Sequence, residues 1–368
     1  MKILEIEKDS LLQPLQAVSG IVERRHTLPI LSNVMLETDG TSLNLLATDL
    51  EIQISTSTVL DKPAAKHAVT VSARKLQDIL RSLPEKTVVS LDAQEGRLQL
   101  KAGKSRFNLQ TLPAQDFPKL AEAGNGSVSV RLPQKVLRQQ LLLVQYGMAQ
   151  QDIRYYLNGL LLQVEERQLT MVATDGHRLA YAGSKLPQPM DRSEVIIPRK
   201  AVLELTKLLV DREDEVEINI LPNQVQFQFS GIDLVSKVVD GKFPDYTRVI
   251  PTNYKKHFVL DRVLLQQALQ RAAILSNEKF RGVRWVVTAS SLKIVCTNAE
   301  QEEAEEELEI EYNGDALDIG FNITYLLDVL GNLDAKDVDC AVGDANSSML
   351  MSVPGNKEFK YVVMPMRI

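Results

Sequence analysis

The chain has 368 residues, 44% hydrophobic and 24% charged, with a net charge of −6. That balance describes an ordinary globular protein, and no window approaches the roughly 18 apolar residues of a membrane span. Cys296 and Cys340 both sit in apolar strand patterns, which reads as two reduced core thiols of a cytoplasmic protein rather than a disulfide framework.

The opening MKILEIEKDS reads as a strand entering a helix, with acids where an export signal needs a basic and then an apolar run. Amphipathic stretches then open near Lys8, Ala73, Pro133, Pro198, Asp261 and Asn322, at intervals of 65, 60, 65, 63 and 61 residues. DSLLQPLQAVSGIV, ARKLQDIL and QKVLRQQLLLV read as the first three helices. PRKAVLELTKLL follows, with Pro198 where a first-turn proline is tolerated. In DRVLLQQALQRAAIL, Val263, Leu264, Ala268, Ala272 and Leu275 recur at helical spacing. NITYLLDVL is the sixth helix. Between helices the chain alternates: VVSLDAQEGRLQLKAG, VEINILPNQVQFQFSG and VDCAVGDANSSMLMSVPG each read as two strands joined by a turn rich in Gly, Asn, Asp or Pro. Six similar halves follow, each a helix covering an antiparallel sheet, which places the chain in the α+β class.

A longer period contains the shorter one. SLNLLATD, QLTMVATD and SLKIVCTN align without gaps from positions 42, 168 and 291, so the copies lie 126 and 123 residues apart. Arg74-Lys75, Arg199-Lys200 and Thr324-Tyr325 keep nearly the same spacing, as do Phe117-Pro118, Phe243-Pro244 and Met364-Pro365. The reading is three repeated domains of two helices on antiparallel sheets, at 1–125, 126–253 and 254–368.

Charge is sorted along the chain. Acids concentrate in 299–311 and 210–217, whereas the helix-rich segments carry Arg74, Lys75, Arg81, Lys135, Arg138, Arg199, Lys200, Lys207, Arg262 and Arg271. Distribution bears on a nucleic-acid partner more than the sum does. The sixth helix breaks the pattern, with Asp328 and no base. No phosphate loop, CxxC pair, HExxH or GxSxG elbow occurs, and the cysteines form no metal-ligand cluster with the histidines, so no enzyme, metal or cofactor is expected. Asp175 with His177 would supply only two ligands of a metal or acid-base site.

ERRHTLPILSNV, RYYLNG, VATDGHRLA, IIPRKAV, DGKFPDY, AILSNEKFRGVR, EQEEAEEEL and the terminal YVVMPMRI stand in one order along the whole chain. Together they resemble the bacterial DNA sliding clamps, the beta subunits of DNA polymerase III. The resemblance implies a non-catalytic processivity factor, a head-to-tail homodimer closed into a ring around duplex DNA of any sequence. Helix dimensions agree: six helices side by side at about 8 to 10 Å leave only about 4 Å of free radius, whereas twelve leave about 12 Å, room for a duplex. Two chains are needed.

The resemblance further implies a pocket for short peptides of replicative and translesion polymerases, the clamp loader and mismatch-repair and other repair proteins. Thr174, Gly176, His177, Arg178 and Leu179 form its corner, with Leu157, Pro244, Arg248, Val249, Phe280, Asn322 and Tyr325 around it. Asn346, Ser348, Val362, Val363, Met364, Pro365, Met366 and Arg367 complete it, the methionines repacking around different apolar anchors while Arg178 and Arg248 fix direction. The corner is in part only a repeated turn, since ATDLEI stands at the equivalent first-domain position; GHRL does not recur there. Asn346 replaces an expected small apolar residue, and Ile368 a more usual leucine.

DNA contact is implied for Arg25, Gln151, Tyr155 and Tyr156, with Arg74, Arg81, Arg199 and Lys200 adding potential. The tyrosine pair also reads as alternating strand positions, one ring inside and one out. Ring closure is implied between Phe107 and Leu109 of one copy and Ile274 and Leu275 of the other, with Lys104 and Arg106 facing Glu300, Glu302 and Glu303. The competing reading is a peptide-binding scaffold that does not encircle DNA.

Overall fold

The structure is a computed structural model and describes residues 2–23, 28–121 and 128–367. Six helices begin within one residue of the expected starts: α1 (Lys8–Ser19), α2 (Ala73–Ser82), α3 (Gln134–Val144), α4 (Arg199–Leu208), α5 (Arg262–Ala272) and α6 (Ile323–Asn332). Side-chain caps fix three of these starts. Ser72 accepts from the Lys75 N–H, Asp261 from that of Leu264 and Asn322 from that of Thr324, satisfying donors that a helix start leaves orphaned. The expected hairpins form as Val88–Gln94 with Arg97–Ala102, Glu215–Ile220 with Gln224–Phe229, and Asp337–Val342 with Met349–Val353.

The halves are not independent, which the repeat alone did not show. The first strand of each domain joins the strands of that domain's second half: Lys2–Glu7 with Val88–Gln94, Val128–Pro133 with Glu215–Ile220, and Lys256–Asp261 with Asp337–Val342. The exchange is mutual. His67–Ser72 pairs back onto Asn33–Thr38, and Leu317–Asn322 onto Gly282–Val287.

Strands also pass between domains. Ile52–Val59 pairs with Ile232–Lys237, so one sheet runs through twelve strands. Arg178–Pro198 pairs with Asn356–Val363 in a sheet of six. Packing divides the chain into two compact units, Met1–Leu137 with Leu203–Val238, and Arg138–Val202 with Val239–Ile368.

In the first unit α1 buries Leu11, Leu12, Leu15 and Val18, and α2 buries Leu76 and Leu80, one apolar stripe each. In the second unit α5 departs from the expected face. Leu265, Ala268, Leu269 and Ala272 are buried, whereas Val263 and Leu264 are exposed. A run of three apolar residues in the first turn leaves the phase ambiguous, and the last of them, Leu265, sets it. α6 buries Ile323, Leu326, Val329 and Leu330.

Aromatic rings fill this core. Trp285 is fully buried, 5.5 Å from Phe321 in an edge-on contact and 6.4 Å from Phe258. Cys296 and Cys340 are buried free thiols on strands, and burial pushes the Cys296 thiol up to about 11. Among the described residues no helix is long and apolar enough to cross a membrane.

Trp285 is the only tryptophan. Replacing it with Ala is expected to lower stability by about 3 to 5 kcal/mol, the loss typical of a large buried aromatic. Urea unfolding followed by circular dichroism checks this, and a loss under about 1 kcal/mol would show that the aromatic cluster does not carry the core.

Candidate functional site

The site begins as a turn. After the strand Gly159–Thr174 the Thr174 hydroxyl donates to the Arg178 carbonyl at 2.6 Å and accepts from the Gly176 N–H at 3.1 Å. Asp175 Oδ1 accepts from the N–H groups of His177 and Arg178 at 2.9 and 3.1 Å. The first domain builds the same corner: Thr48 bonds Ile52 and Leu50, and Asp49 accepts from the N–H groups of Glu51 and Ile52. Threonine and aspartate are therefore turn chemistry here, side-chain oxygens replacing ladder bonds. Asp175 and His177 meet only through a backbone N–H, and among the described residues no cluster of His, Cys, Asp and Glu is disposed to hold a metal.

Three substitutions separate the corners, and beside the exchange of Glu51 for His177 two change what the turn can hold. The left-handed position is Leu50, at φ 77°, in the first and Gly176, at φ 90°, in the second. A Cβ on Gly176 would stand 3.0 Å from the Arg154 guanidinium, so glycine both accepts the backbone angle and admits Arg154. The other substitution sets Arg178 where the first domain has buried Ile52.

Arg178 is almost enclosed, its side chain 10% exposed. Its Nε donates to Asp175 Oδ2 at 3.0 Å, its Nη1 to Asp328 Oδ2 at 2.6 Å, and its guanidinium lies 4.3 Å from the centre of the Tyr325 ring. Burial disfavours this charge, but Tyr361, Asp328 and Asp175 outweigh it and hold the guanidinium above its ordinary range. The resemblance implied Arg178 in ligand contact; in the structure its Nε and Nη1 are held by two carboxylates inside the protein. Arg154, which the sequence analysis missed, is the more exposed cation. It pairs with Asp152, whose carboxyl its hydrogen bonds hold down to about 2, and reaches the Asp175 carbonyl at 3.3 Å.

The core beneath the corner is apolar. Leu179 and Val362, paired across strands, pack with Leu161, Val172, Ile196 and Phe243 in one buried cluster, against which Tyr156, Tyr181 and Tyr246 lie half-buried. Leu157 and Val363 are buried too. The terminal segment is sewn on at two points: Met364 N–H donates to the His177 carbonyl and Met366 N–H to that of Gly320, each at 2.9 Å. Met364 and Val249, each 47% exposed, and Phe280, 58% exposed, show apolar surface to solvent. Pro365 and Met366 are half-buried, and Pro244, Arg248 and Arg367 are exposed.

Asn322 is occupied as the α6 cap. Asn346 lies exposed in a turn where its N–H bonds Asp344, and the Ser348 carbonyl accepts from Tyr254 at 2.7 Å. Ile368 lies outside the described residues.

Of the residues implied in DNA contact, Arg25 lies outside the described residues, and Arg74 and Arg81 are exposed on α2 in the first unit. In the second unit Gln151 is exposed with φ at 57°, and Arg199 donates to the Met148 carbonyl at 3.2 Å. Lys200 is half-buried. Tyr155 is 74% exposed and Tyr156 half-buried, but they sit in a short 3-10 turn, Tyr155–Leu157, rather than on a strand. One ring faces out and one in, for a different local reason.

Of the residues implied in ring closure, Ile274 is 78% exposed and Leu275 half-buried, Phe107 is half-buried and Leu109 buried. Both nearby strands have open edges among the described residues. Glu303–Glu309 pairs only with Ser291–Thr297, and Ser105–Leu112 pairs along its length with Arg97–Ala102 but on its other side only through Thr111 and Leu112.

Comparison with known proteins agrees with this architecture. Sequence profiles of the DNA polymerase III beta subunit match in three blocks: the N-terminal domain over 1–121, the central domain over 131–245 and the C-terminal domain over 247–367. The chain is 49% identical over 364 residues to the beta sliding clamp of Pseudomonas putida and 44% identical over 363 to that of Escherichia coli K12, covering 99% of each pair. The sliding clamp of Pseudomonas aeruginosa bound to griselimycin superposes with a TM-score of 0.96 at 48% identity, with all of both chains covered. With matches of this extent in all three domains, the chain belongs to the bacterial DNA sliding clamps, the beta subunits of DNA polymerase III.

Proposed function

We propose that this DNA sliding clamp, a non-catalytic processivity subunit, works through three surfaces carried on domains divided near residues 125 and 253. The observation that carries the closure surface is the rhythm of the sheet seams. Twice in the chain, the last strand of a domain's first half pairs with the last strand of the next domain: Ile52–Val59 with Ile232–Lys237, and Arg178–Pro198 with Asn356–Val363. The third domain has the same strand, Glu303–Glu309, and the first domain the same final strand, Ser105–Leu112, both open along an edge. A third seam therefore joins third domain to first.

Closing it within one chain would give a ring of six helices, too narrow for a duplex on the helix spacing used above, so the partner is a second copy. Register is consistent, since Thr48 faces Gln53, Thr174 faces Leu179 and Thr297 faces Glu303; Gln53 and Leu179 both lie on a seam. Lys104 and Arg106 meet the glutamates of the partner strand with pairs worth about 0 to 1 kcal/mol each, and burial of Ile274 with Leu275 against Phe107 dominates, Leu109 being already buried in its own chain.

The second surface lines the ring. Arg25, Gln151, Tyr155 and Tyr156 touch the duplex, and Arg74, Arg81, Arg199 and Lys200 add positive potential, attracting phosphates equally at every base step. The third is the groove over Leu179 and Val362, where polymerases, the clamp loader and translesion and mismatch-repair proteins insert short apolar motifs in competition, and to which we also assign griselimycin, bound by the Pseudomonas aeruginosa clamp. Met364, Phe280 and Val249 receive the anchors, and Arg154 and Arg248 with exposed backbone groups set direction. The protein acts in the cytoplasm.

Three measurements test these surfaces. Ile274→Ala with Leu275→Ala is expected to give a folded monomer, at a cost of about 2 to 5 kcal/mol per side chain; a sedimentation profile still dimeric at nanomolar concentration would move the interface elsewhere. Arg25→Ala with Gln151→Ala is expected to weaken retention on DNA and flatten its salt dependence; an unchanged salt slope would remove both residues from the phosphate path. Met364→Ala, or deletion of 364–368, is expected to weaken polymerase and loader peptides together while rings already closed on circular DNA stay until it is linearised. A peptide affinity within about twofold of wild type, about 0.4 kcal/mol, would exclude Met364 as an anchor.

A further inference from the structure

α6 carries a carboxylate that surface charge does not explain. Asp328 stands in ITYLLDVLGN, a helix without a basic residue. Aspartate is a poor helix former, and this one lies in the half of the helix whose dipole favours cations. Its partner is distant in sequence. Asp328 Oδ2 accepts from Arg178 Nη1 at 2.6 Å, across 150 residues.

That contact completes an enclosure. Arg178 Nε is taken by Asp175, Tyr325 covers one face of the guanidinium at 4.3 Å, and the half-buried Tyr146 ring lies 5.8 Å away. Tyr361, in turn, donates its hydroxyl to the Tyr325 carbonyl at 3.0 Å. Arg178 is itself part of the groove's frame, because it pairs with Val363 and the adjacent Met364 N–H bonds the His177 carbonyl.

We propose that Asp328 is a positioning residue for the peptide groove, acting through Arg178 to lock the corner 174–179, the α6 face bearing Tyr325 and the terminal Met364 segment into one wall. The inference rests on the reading of this groove as the peptide site. Asp328 contacts no peptide. Without its charge, one arm of a nearly enclosed guanidinium loses its anionic acceptor, a costly state for a buried cation. The head then turns toward Asp175 or solvent, and Tyr325 loses the cation that fixes its ring. The wall loosens while the Trp285 core, built from other residues, is kept.

The test is calorimetric titration of griselimycin into full-length wild type, Asp328→Asn, Asp328→Glu, Arg178→Gln and the Asp328→Asn/Arg178→Gln double variant, with melting temperature and sedimentation on each. Asp328→Asn is expected to weaken binding about tenfold, equal to about 1.4 kcal/mol, in a dimer that melts within a few degrees of wild type. Asp328→Glu, which keeps the charge one methylene farther out, is expected to recover part of the loss. The double variant is expected to bind no worse than Arg178→Gln alone, because both changes remove one contact. Binding by Asp328→Asn within about twofold of wild type, or losses that add in the double variant, overturns the proposal. So does a loss that tracks a large fall in melting temperature, which marks a merely structural role. Failure of wild type to bind griselimycin is a different result, since it removes the groove reading itself and this inference with it.

Discussion

Open strand edges govern this protein. A backbone N–H or C=O left without a partner is costly when buried and adhesive when exposed, so an antiparallel sheet must end in a cover, a charge or another strand. Here the third answer is used repeatedly. Within a domain the first strand is given to the other half, as Lys2–Glu7 is to Val88–Gln94; between domains, Ile52–Val59 meets Ile232–Lys237. In the proposed closure the same need is met once more, between two chains. Closure and domain architecture are thus one solution applied at three scales, and a heterologous contact of this kind is safe only because the rotation closes rather than propagating into a filament.

The peptide groove shows how a repeated element acquires a new task without losing its old one. The Thr-Asp corner is structural in both places, where Thr48 and Thr174, Asp49 and Asp175 make the same bonds. Change enters at positions that the turn leaves free. Leu50 becomes Gly176, opening space for Arg154, and buried Ile52 becomes Arg178. A cation where an aliphatic side chain stood must be neutralised, and Asp175 and Asp328 do so. A surface able to repack around varied peptides needs a frame that does not repack, and in the proposed groove a doubly paired arginine beside the Tyr325 ring supplies one.

Much of this was legible in the chain. Helix starts were legible because a stripe of apolar residues at helical spacing and a capping Ser, Asp or Asn agree on position, as at Ser72 and Asp261. The fold followed from the repeat. The buried face of α5 was not legible, because Val263, Leu264 and Leu265 are equally apolar and only packing against neighbouring strands decides among them. The exchange of first strands escaped for a related reason: alternation shows that a residue faces inward but not which neighbour its strand pairs with. Arg178 was found as a site residue, but its pairing with Asp328 was not legible, since that partner is 150 residues away. The trace it left in the sequence was an acid in a helix with no other charge.

Topological retention explains why a DNA-encircling protein tolerates a net charge of −6. An open binder must hold phosphates tightly enough to resist dissociation, so its affinity and its mobility along the duplex oppose each other. A closed ring separates them: leaving requires breaking a protein seam, and the contacts inside need only be weak and uniform. Acids can then gather on Glu303–Glu309, whose open edge repels like strands, as the proposed pairing with Ser105–Leu112 and its Arg106 requires. The same separation frees the groove. Because peptide binding bears no part of holding DNA, its affinity can stay modest enough for one occupant to yield to the next while the ring keeps its place.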